Sequence, residues 1–178
     1  MVSLLCALMI ANAPLPSPSP ELKLHLTLPG KKPETGLLEE AWDYYRSNAF
    51  QLCASRLDRL LEDSKRHSLS IPPARRAALA IMYERCAVEV DESGASEAAL
   101  PMIQAALRLA PRSYSICFHQ GLILQHGGYA EEARKALEKA ISLAREENRL
   151  TGEILGNALE QEGPEEIEAA AKDALAGF

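Results

Sequence analysis

The chain has few cysteines, no excess of positive charge and no long apolar run, three features that would each indicate a particular class of protein. Its 178 residues include four cysteines, too few and too scattered for a disulfide scaffold. Lys and Arg number 19 against 25 Asp and Glu, and the resulting net charge of −6 argues against nucleic-acid binding. No apolar run approaches the ~20 residues of a membrane-spanning helix, so we expect no stable membrane insertion.

The sequence also lacks the short motifs that carry enzyme chemistry. It has no nucleophile elbow, no H-E-x-x-H, no P-loop and no dinucleotide fingerprint. His119 and His126 are seven residues apart and can share a helix face, but no carboxylate joins them at metal-ligand spacing. We therefore predict a non-enzymatic protein with no metal and no cofactor.

Residues 1–20 carry no charged side chain. The apolar run 2–10 is followed by Ala11-Asn12-Ala13, the small-x-small form of a signal-peptidase site. This pattern predicts a signal peptide over 1–13 and a periplasmic or secreted protein, although no Lys or Arg precedes the run. The alternatives are a short apolar tail that packs on the domain, and a cytoplasmic location.

Residues 14–33 form a different kind of segment. Four prolines alternate with other residues over 14–20, which favours an extended, semi-rigid linker. Apolar and polar residues then alternate from Leu22 to Leu28, a strand pattern that appears nowhere later in the chain. A lone strand must pair with another chain, lie against the helices or stay loose, and the sequence leaves its role open.

From about residue 34 the apolar spacing becomes helical, and a set of residues recurs 34 positions later. Each set has a small residue where two helices would cross, a glycine where a turn would fall, and an alanine pair flanking a larger aliphatic residue. The first set is Tyr83, Ala87, Val90, Gly94, Ala99, Ile103, Ala106 and Leu109. The second set is Cys117, Gly121, Leu124, Gly128, Ala133, Leu137, Ala140 and Leu143.

This pattern resembles the tetratricopeptide repeat (TPR) family, whose unit is a 34-residue helix–turn–helix. Family positions on helix A are matched by Tyr83, Ala87 and Val90, and those on helix B by Ala99, Ile103, Ala106 and the closing Pro111. The next unit matches at Gly121, Ala133, Leu137 and Ala140. It departs from the family at Cys117 and Arg145, and Tyr129 lies one residue early for the usual turn aromatic.

A third unit lies upstream with the same internal spacing, but 46 residues before the middle one. Its members are Leu37, Ala41, Tyr44, Asn48, Cys53, Leu57 and Leu60. The twelve additional residues predict an insertion near 64–79, with both flanking helices extended and a loop between them. The chain therefore reads as three units over 34–147, followed by a degenerate fourth unit or capping helices over 148–178.

The resemblance implies an all-α fold: a right-handed α-solenoid of TPR units, with the extended segment at its N-terminus. In that family, helix A side chains line a concave groove that binds a peptide or protein. By spacing, the candidate lining is Leu38, Trp42 and Tyr45, then Glu84, Val88 and Asp91, then Phe118, Leu122 and Gln125. The two carboxylates among them favour a partner with basic residues beside an apolar stretch.

Two other interpretations remain open. The aromatic members Trp42, Tyr45 and Phe118 could instead pack beneath the C-terminal cap or the N-terminal segment. The chain also resembles small acidic secretion chaperones of the cytoplasm, and a metal or redox protein using its thiols is the third class. Pairing of Cys86 with Cys117 on neighbouring helices, the identity of the partner and the oligomeric state stay undecided.

Overall fold

The computed structural model describes residues 33–154 and 164–176, with side chains for 36–147 and 165–176. The predicted signal peptide and the 22–28 segment lie outside these residues. The described part of the chain is entirely helical and contains no strand, so the all-α prediction is confirmed. The seven helices described are α1 Pro33–Arg46, α2 Phe50–Arg66, α3 Pro73–Glu92, α4 Ser96–Leu109, α5 Tyr114–His126, α6 Ala130–Ile154 and α7 Pro164–Ala176.

Local sequence explains where these helices begin. Pro73 is the first residue of α3. A backbone N–H at this position has no acceptor within the helix, so proline, which lacks that N–H, is well suited to it. The side chain of Ser113 caps α5 by accepting a hydrogen bond of 3.3 Å from the backbone N–H of Ile116. Glu131 and Glu132 lie in the first turn of α6, where negative charge stabilises the helix dipole.

Four turns share one backbone geometry. One of them follows α2, where Ser68 has a φ of 51° and the N–H of Leu69 donates to the carbonyl of Ser64 at 2.8 Å, and the other three lie within helix pairs. These three join α1 to α2, α3 to α4 and α5 to α6, and their central residues Asn48, Gly94 and Gly128 have φ of 57°, 85° and 82°. In each turn the next residue donates to a carbonyl five positions earlier, at 2.8 Å (Ala49 to Tyr44), 3.2 Å (Ala95 to Val90) and 2.8 Å (Tyr129 to Leu124). The 46- and 34-residue spacings of the sequence therefore recur as equal turns in the structure.

The spacing between the first two turns is longer because the helices around it are longer. Helix α2 has 17 residues and α3 has 20, whereas α4 has 14 and α5 has 13. The remaining residues form the connection 67–72. At the other end, α6 is a single 25-residue helix that continues past residue 147, and α7 begins at Pro164.

The helices pack in chain order, each against the next, and α3 also contacts α5 while α5 contacts α7. The helix pairs that share a turn meet through small, fully buried residues, among them Ala41, Ala87, Ala99, Ala133 and Ala140. At Gly121 the approach is closest, since a Cβ there would lie 2.6 Å from Cδ2 of Leu137. Buried side chains extend from α1 to α7 in neighbouring clusters, so the core follows the row of helices.

Candidate functional site

The nine predicted groove residues all lie on α1, α3 and α5, and every one of them is buried or half-buried. The buried ones are Leu38, Tyr45, Glu84, Asp91 and Phe118. The half-buried ones are Trp42, Val88, Leu122 and Gln125. In the described structure a partner can therefore contact mainly the half-buried residues, whereas the buried ones already have contacts inside the protein.

On α1 the aromatic residues pack on each other. The rings of Trp42 and Tyr45 meet edge to face with centroids 5.8 Å apart, and Tyr45 meets Phe50 of α2 at 5.6 Å. Burial raises the pKa of Tyr45, and the nearby charge of Arg85 on α3 opposes that rise. The Tyr45 hydroxyl is buried and makes no hydrogen bond. Tyr45 therefore belongs to the core, and Trp42 covers it from the outside.

Between α3 and α5 the carboxylate of Glu84 is bound twice. Its Oε1 atom accepts a hydrogen bond of 2.6 Å from Oγ of Ser115 and lies 2.8 Å from Nδ1 of His119. Ser115 and His119 are four residues apart, so they share one face of α5. A nearly buried carboxylate requires such partners, because an unpaired charge away from water is strongly destabilising.

These three residue types also occur in catalytic triads, but their arrangement here differs from a triad. In a triad the histidine lies between serine and acid, and accepts the serine proton on one nitrogen. Here Ser115 and His119 both bond to the same oxygen of Glu84, and no hydrogen bond joins them. This geometry ties α5 to α3 and lacks the serine–histidine hydrogen bond of a triad.

One helical heptad further along, a second carboxylate pairs with a second histidine. Asp91 Oδ2 lies 2.7 Å from Nδ1 of His126. The Asp91 side chain is nearly buried, whereas that of His126 is 58% exposed. The other carboxylate oxygen of Asp91, Oδ1, is buried and has no hydrogen-bond partner. We call Glu84, Ser115, His119, Asp91 and His126 together the paired strip.

The paired strip runs along the line where α3 and α5 meet. Seven residues of α-helix rise ~10.5 Å, so the two histidines are too far apart to bind one metal ion. Among the described residues, no three His, Cys, Asp or Glu side chains are grouped to hold a metal. In both pairs Nδ1 faces the carboxylate, which leaves Nε2 of each ring as the nitrogen available to a partner.

Phe118 has a different environment from the rest of the predicted lining. It is buried in a cluster with Cys117, Ile167 and Ala171, the last two from α7. Leu122, one turn further along α5, packs against the same cluster. This placement agrees with the alternative interpretation, in which Phe118 packs beneath a C-terminal cap.

The sequence analysis missed the paired strip because it compared each residue with its equivalent 34 positions away. Glu84 and His119, like Asp91 and His126, are 35 positions apart, which is the 34-residue sequence spacing plus one. That offset joins a residue of α3 to the residue next to its equivalent on α5. A search for opposite-charge or His–acid pairs at this offset would have found both.

No protein-family model and no curated protein sequence matches this chain. Within the described residues, no helix combines the length and apolar character needed to cross a membrane.

Proposed function

We propose that the chain is a non-enzymatic interaction module of the TPR class, a right-handed α-solenoid that binds a peptide or protein in a concave groove along α1, α3 and α5. Three equal turns at Asn48, Gly94 and Gly128 support this class, since a repeat architecture requires equal corners. Fully buried small residues at equivalent helix crossings support it as well. In this proposal, the N-terminal segment extends from the first unit and α7 caps the last.

The direct contact between α3 and α5 is the observation that carries the proposed groove. Val88 and Leu122 lie at equivalent positions on these helices and are half-buried. Leu122 is three residues from His119 and four from His126, a spacing that puts all three on one face of α5. A partner can cover a row of partly exposed side chains without disrupting the packing of the core. Trp42 extends the apolar row onto α1.

The paired strip changes the partner chemistry expected from the sequence. Glu84 and Asp91 are each paired with a histidine and both side chains are nearly buried, so they are poorly placed to receive basic side chains from a partner. We therefore propose a partner segment that is mainly apolar, contacts Trp42, Val88 and Leu122, and carries polar groups that hydrogen-bond to the imidazole Nε2 atoms. The aromatic anchor is expected to contribute most of the binding free energy.

The location of the protein belongs to the same proposal. Cleavage of a signal peptide after Ala13 would place the module in the periplasm or outside the cell. The alternative is a cytoplasmic secretion chaperone with an intact N-terminus. The N-terminal mass of the protein from its native host decides between them: a chain that begins at Pro14 supports export, and one that begins at Met1 supports the chaperone.

The binding proposal is tested with Trp42→Ala and a matched control, Leu52→Ala. Leu52 is an exposed residue of α2, outside the helices that form the proposed groove. Partners are captured from the native host with wild-type protein, identified, and titrated against both variants. We expect Trp42→Ala to weaken binding by about 2 kcal/mol or more, and Leu52→Ala to leave it unchanged.

Circular dichroism establishes that each variant is folded. A folded Trp42→Ala protein that keeps full affinity for every partner would place the binding surface elsewhere. An unfolded one would assign Trp42 to the core, and Val88→Ala and Leu122→Ala would then test the groove.

A further inference from the structure

The two carboxylate–histidine pairs of the paired strip determine which nitrogen of each ring carries the proton. Nδ1 of His119 lies 2.8 Å from Oε1 of Glu84, and Nδ1 of His126 lies 2.7 Å from Oδ2 of Asp91. An ionised carboxylate has no proton to donate, so each ring must donate from Nδ1. A neutral imidazole has only one N–H, which leaves Nε2 of each ring as a hydrogen-bond acceptor.

The hydroxyl of Ser115 supports the same assignment at the first pair. Oγ of Ser115 donates to Oε1 of Glu84 at 2.6 Å, and this is the oxygen that His119 also contacts. A carboxylate oxygen can accept both bonds because it has two lone pairs. Both partners of Glu84 are therefore donors toward it, and the acceptor nitrogen of His119 remains for a partner.

The charges around these two acceptors are mainly negative. From Glu84 to Glu92, α3 carries four carboxylates and one cation, Arg85, and α5 has no Asp, Glu, Lys or Arg from its first residue to its last. Burial and the nearby charge of Glu92 raise the pKa of Glu89, although Arg85 opposes the rise. A cationic donor is therefore favoured over a neutral one, because the carboxylates behind the rings attract it.

The spacing of the two rings indicates the shape of the partner. His119 and His126 are separated by seven residues of helix, a rise of ~10.5 Å, and the half-buried Leu122 lies between them. A partner helix lying along α5 has the same distance between its own positions i and i+7. Apolar residues at positions i+3 and i+4 of that helix would then lie against Leu122.

We propose that the paired strip binds an amphipathic helical segment whose lysine or arginine side chains, at positions i and i+7, donate hydrogen bonds to Nε2 of His119 and His126. This inference rests on the proposed function and specifies its partner. The basic groups meet the imidazoles and not the carboxylates, which attract them without direct contact. A segment with Asp or Glu at these positions is disfavoured, because it would place acceptors against acceptors.

Long-range nitrogen–proton correlation NMR tests the proton positions directly, because it separates protonated ring nitrogens from unprotonated ones. The full chain with His25→Gln and His67→Gln leaves only the two histidines of the strip to observe. At about pH 8, where an imidazole is ordinarily neutral, we expect a proton on Nδ1 and none on Nε2 in both rings. A proton on Nε2 of either ring, alone or together with one on Nδ1, overturns the inference.

Two synthetic helical peptides of identical composition test the partner chemistry. In the first, lysines occupy positions i and i+7 and leucines occupy i+3 and i+4; in the second, the lysines are moved to the opposite face. Because both peptides have the same net charge, general attraction to an acidic protein does not distinguish them. We expect the wild type to bind the first peptide at least about tenfold more tightly, since hydrogen bonds that involve a charged group are the stronger ones.

Variants of two histidines show where this preference arises. His126→Phe, at an exposed ring of the strip, should remove most of the preference, whereas His67→Phe, at an exposed histidine outside the strip, should keep it. Circular dichroism checks the fold of both variants. If His126→Phe unfolds, the double variant Asp91→Leu/His126→Phe replaces it, because it leaves no unpaired carboxylate.

The outcomes separate this inference from the proposed function. Equal affinity of the two peptides for the wild type, or binding of neither, overturns the inference. Peptide binding that depends on Trp42 or Leu122 but not on His126 also overturns it, and leaves the proposed groove in place. A preference that is lost in His126→Phe and kept in Trp42→Ala supports the inference, and shows that the groove does not extend onto α1.

Discussion

The junction between α3 and α5 and the junction between α5 and α7 use equivalent positions in opposite ways. Glu84 of α3 and Phe118 of α5 are 34 residues apart and occupy equivalent positions on two alternate helices. Glu84 is bound by Ser115 and His119 of α5, whereas Phe118 is buried with Ile167 and Ala171 of α7. One junction is joined by directional polar bonds and the other by apolar packing.

This difference shows that residues at equivalent positions of the 34-residue spacing can make contacts of different chemistry. Apolar packing is non-directional, so the α5–α7 contact depends on how well the side chains fill the space between the helices. Polar bonds to a nearly buried carboxylate have strict distances, so α3 and α5 have one favourable register. The paired strip therefore defines the alignment of the two helices that carry Val88 and Leu122.

Disrupting the apolar α5–α7 junction should destabilise the protein more than disrupting the polar α3–α5 junction. Phe118→Ala removes a buried ring from the α5–α7 contact, and we expect a loss of about 3–5 kcal/mol in the free energy of unfolding. Urea denaturation followed by circular dichroism measures it. Tyr129→Ala, at a ring that is 41% exposed, is the control and should cost less than about 1 kcal/mol. A cost for Phe118→Ala as small as that of the control would mean that α7 does not seal this ring.

Replacing the polar side chains of the α3–α5 junction with apolar ones tests whether this junction depends on its hydrogen bonds. Glu84→Leu alone leaves Ser115 and His119 without their acceptor, and should cost about 1–3 kcal/mol. The double variant Glu84→Leu/His119→Leu should recover much of this loss, because apolar side chains often replace a buried pair at little cost. Denaturation midpoints of the wild type, both single variants and the double variant form the cycle.

The same cycle on Asp91 and His126 sharpens the result. The His126 side chain is 58% exposed against 24% for His119, so water competes more strongly for its pairing. We expect a smaller coupling energy than for Glu84 and His119. Equal couplings would contradict the view that burial sets the strength of the strip.

A smaller effect is expected at the turns between helices. Gly94→Ala places a Cβ on a residue with φ of 85° and should cost about 1 kcal/mol. Gly36→Ala is the matched control: the new Cβ has no atom within 4 Å, and α1 should gain roughly 0.5–1 kcal/mol. Melting curves of the two variants should shift in opposite directions, and a shift in the same direction would contradict the turn assignment.

The smallest effect concerns the polar contacts that surround the apolar junction. Glu168 of α7 accepts hydrogen bonds from Lys172 and from Arg145 of α6, and these lower its pKa from the ordinary 4.5. A carboxyl with a lowered pKa in the folded state contributes stability above about pH 4.5, and loses it as the pH falls through the lowered value.

Glu168→Gln should therefore lower the melting temperature by about 1–3 °C at pH 7 and by less near pH 3. Glu138→Gln, at an exposed residue in the middle of α6, should have no comparable effect at either pH. A Glu168→Gln deficit that is equally large at pH 3 would rule out the carboxylate as its cause.

Much of the fold could be predicted because it depends on residue size at a fixed spacing. Asn48, Gly94 and Gly128 were aligned by counting, and their turns have the same geometry. Small residues such as Ala99 and Ala133 were assigned to helix crossings, and both are fully buried.

The site was less accessible to the same reasoning. The sequence assigned Glu84 and Asp91 to helix A, but which side chains of α5 they reach depends on how neighbouring helices are rotated and shifted. Those rotations and shifts are set by packing between the helices and not by the spacing along the sequence.

The order of packing has a consequence for how fast the chain folds. The main contacts among the described helices join first or second neighbours in the chain. Few distant segments must meet before apolar surface is buried, and chains with such local contacts fold quickly. Helix α7 lies at one end of the row, so its amides should be the first of the C-terminal helices to exchange with deuterium.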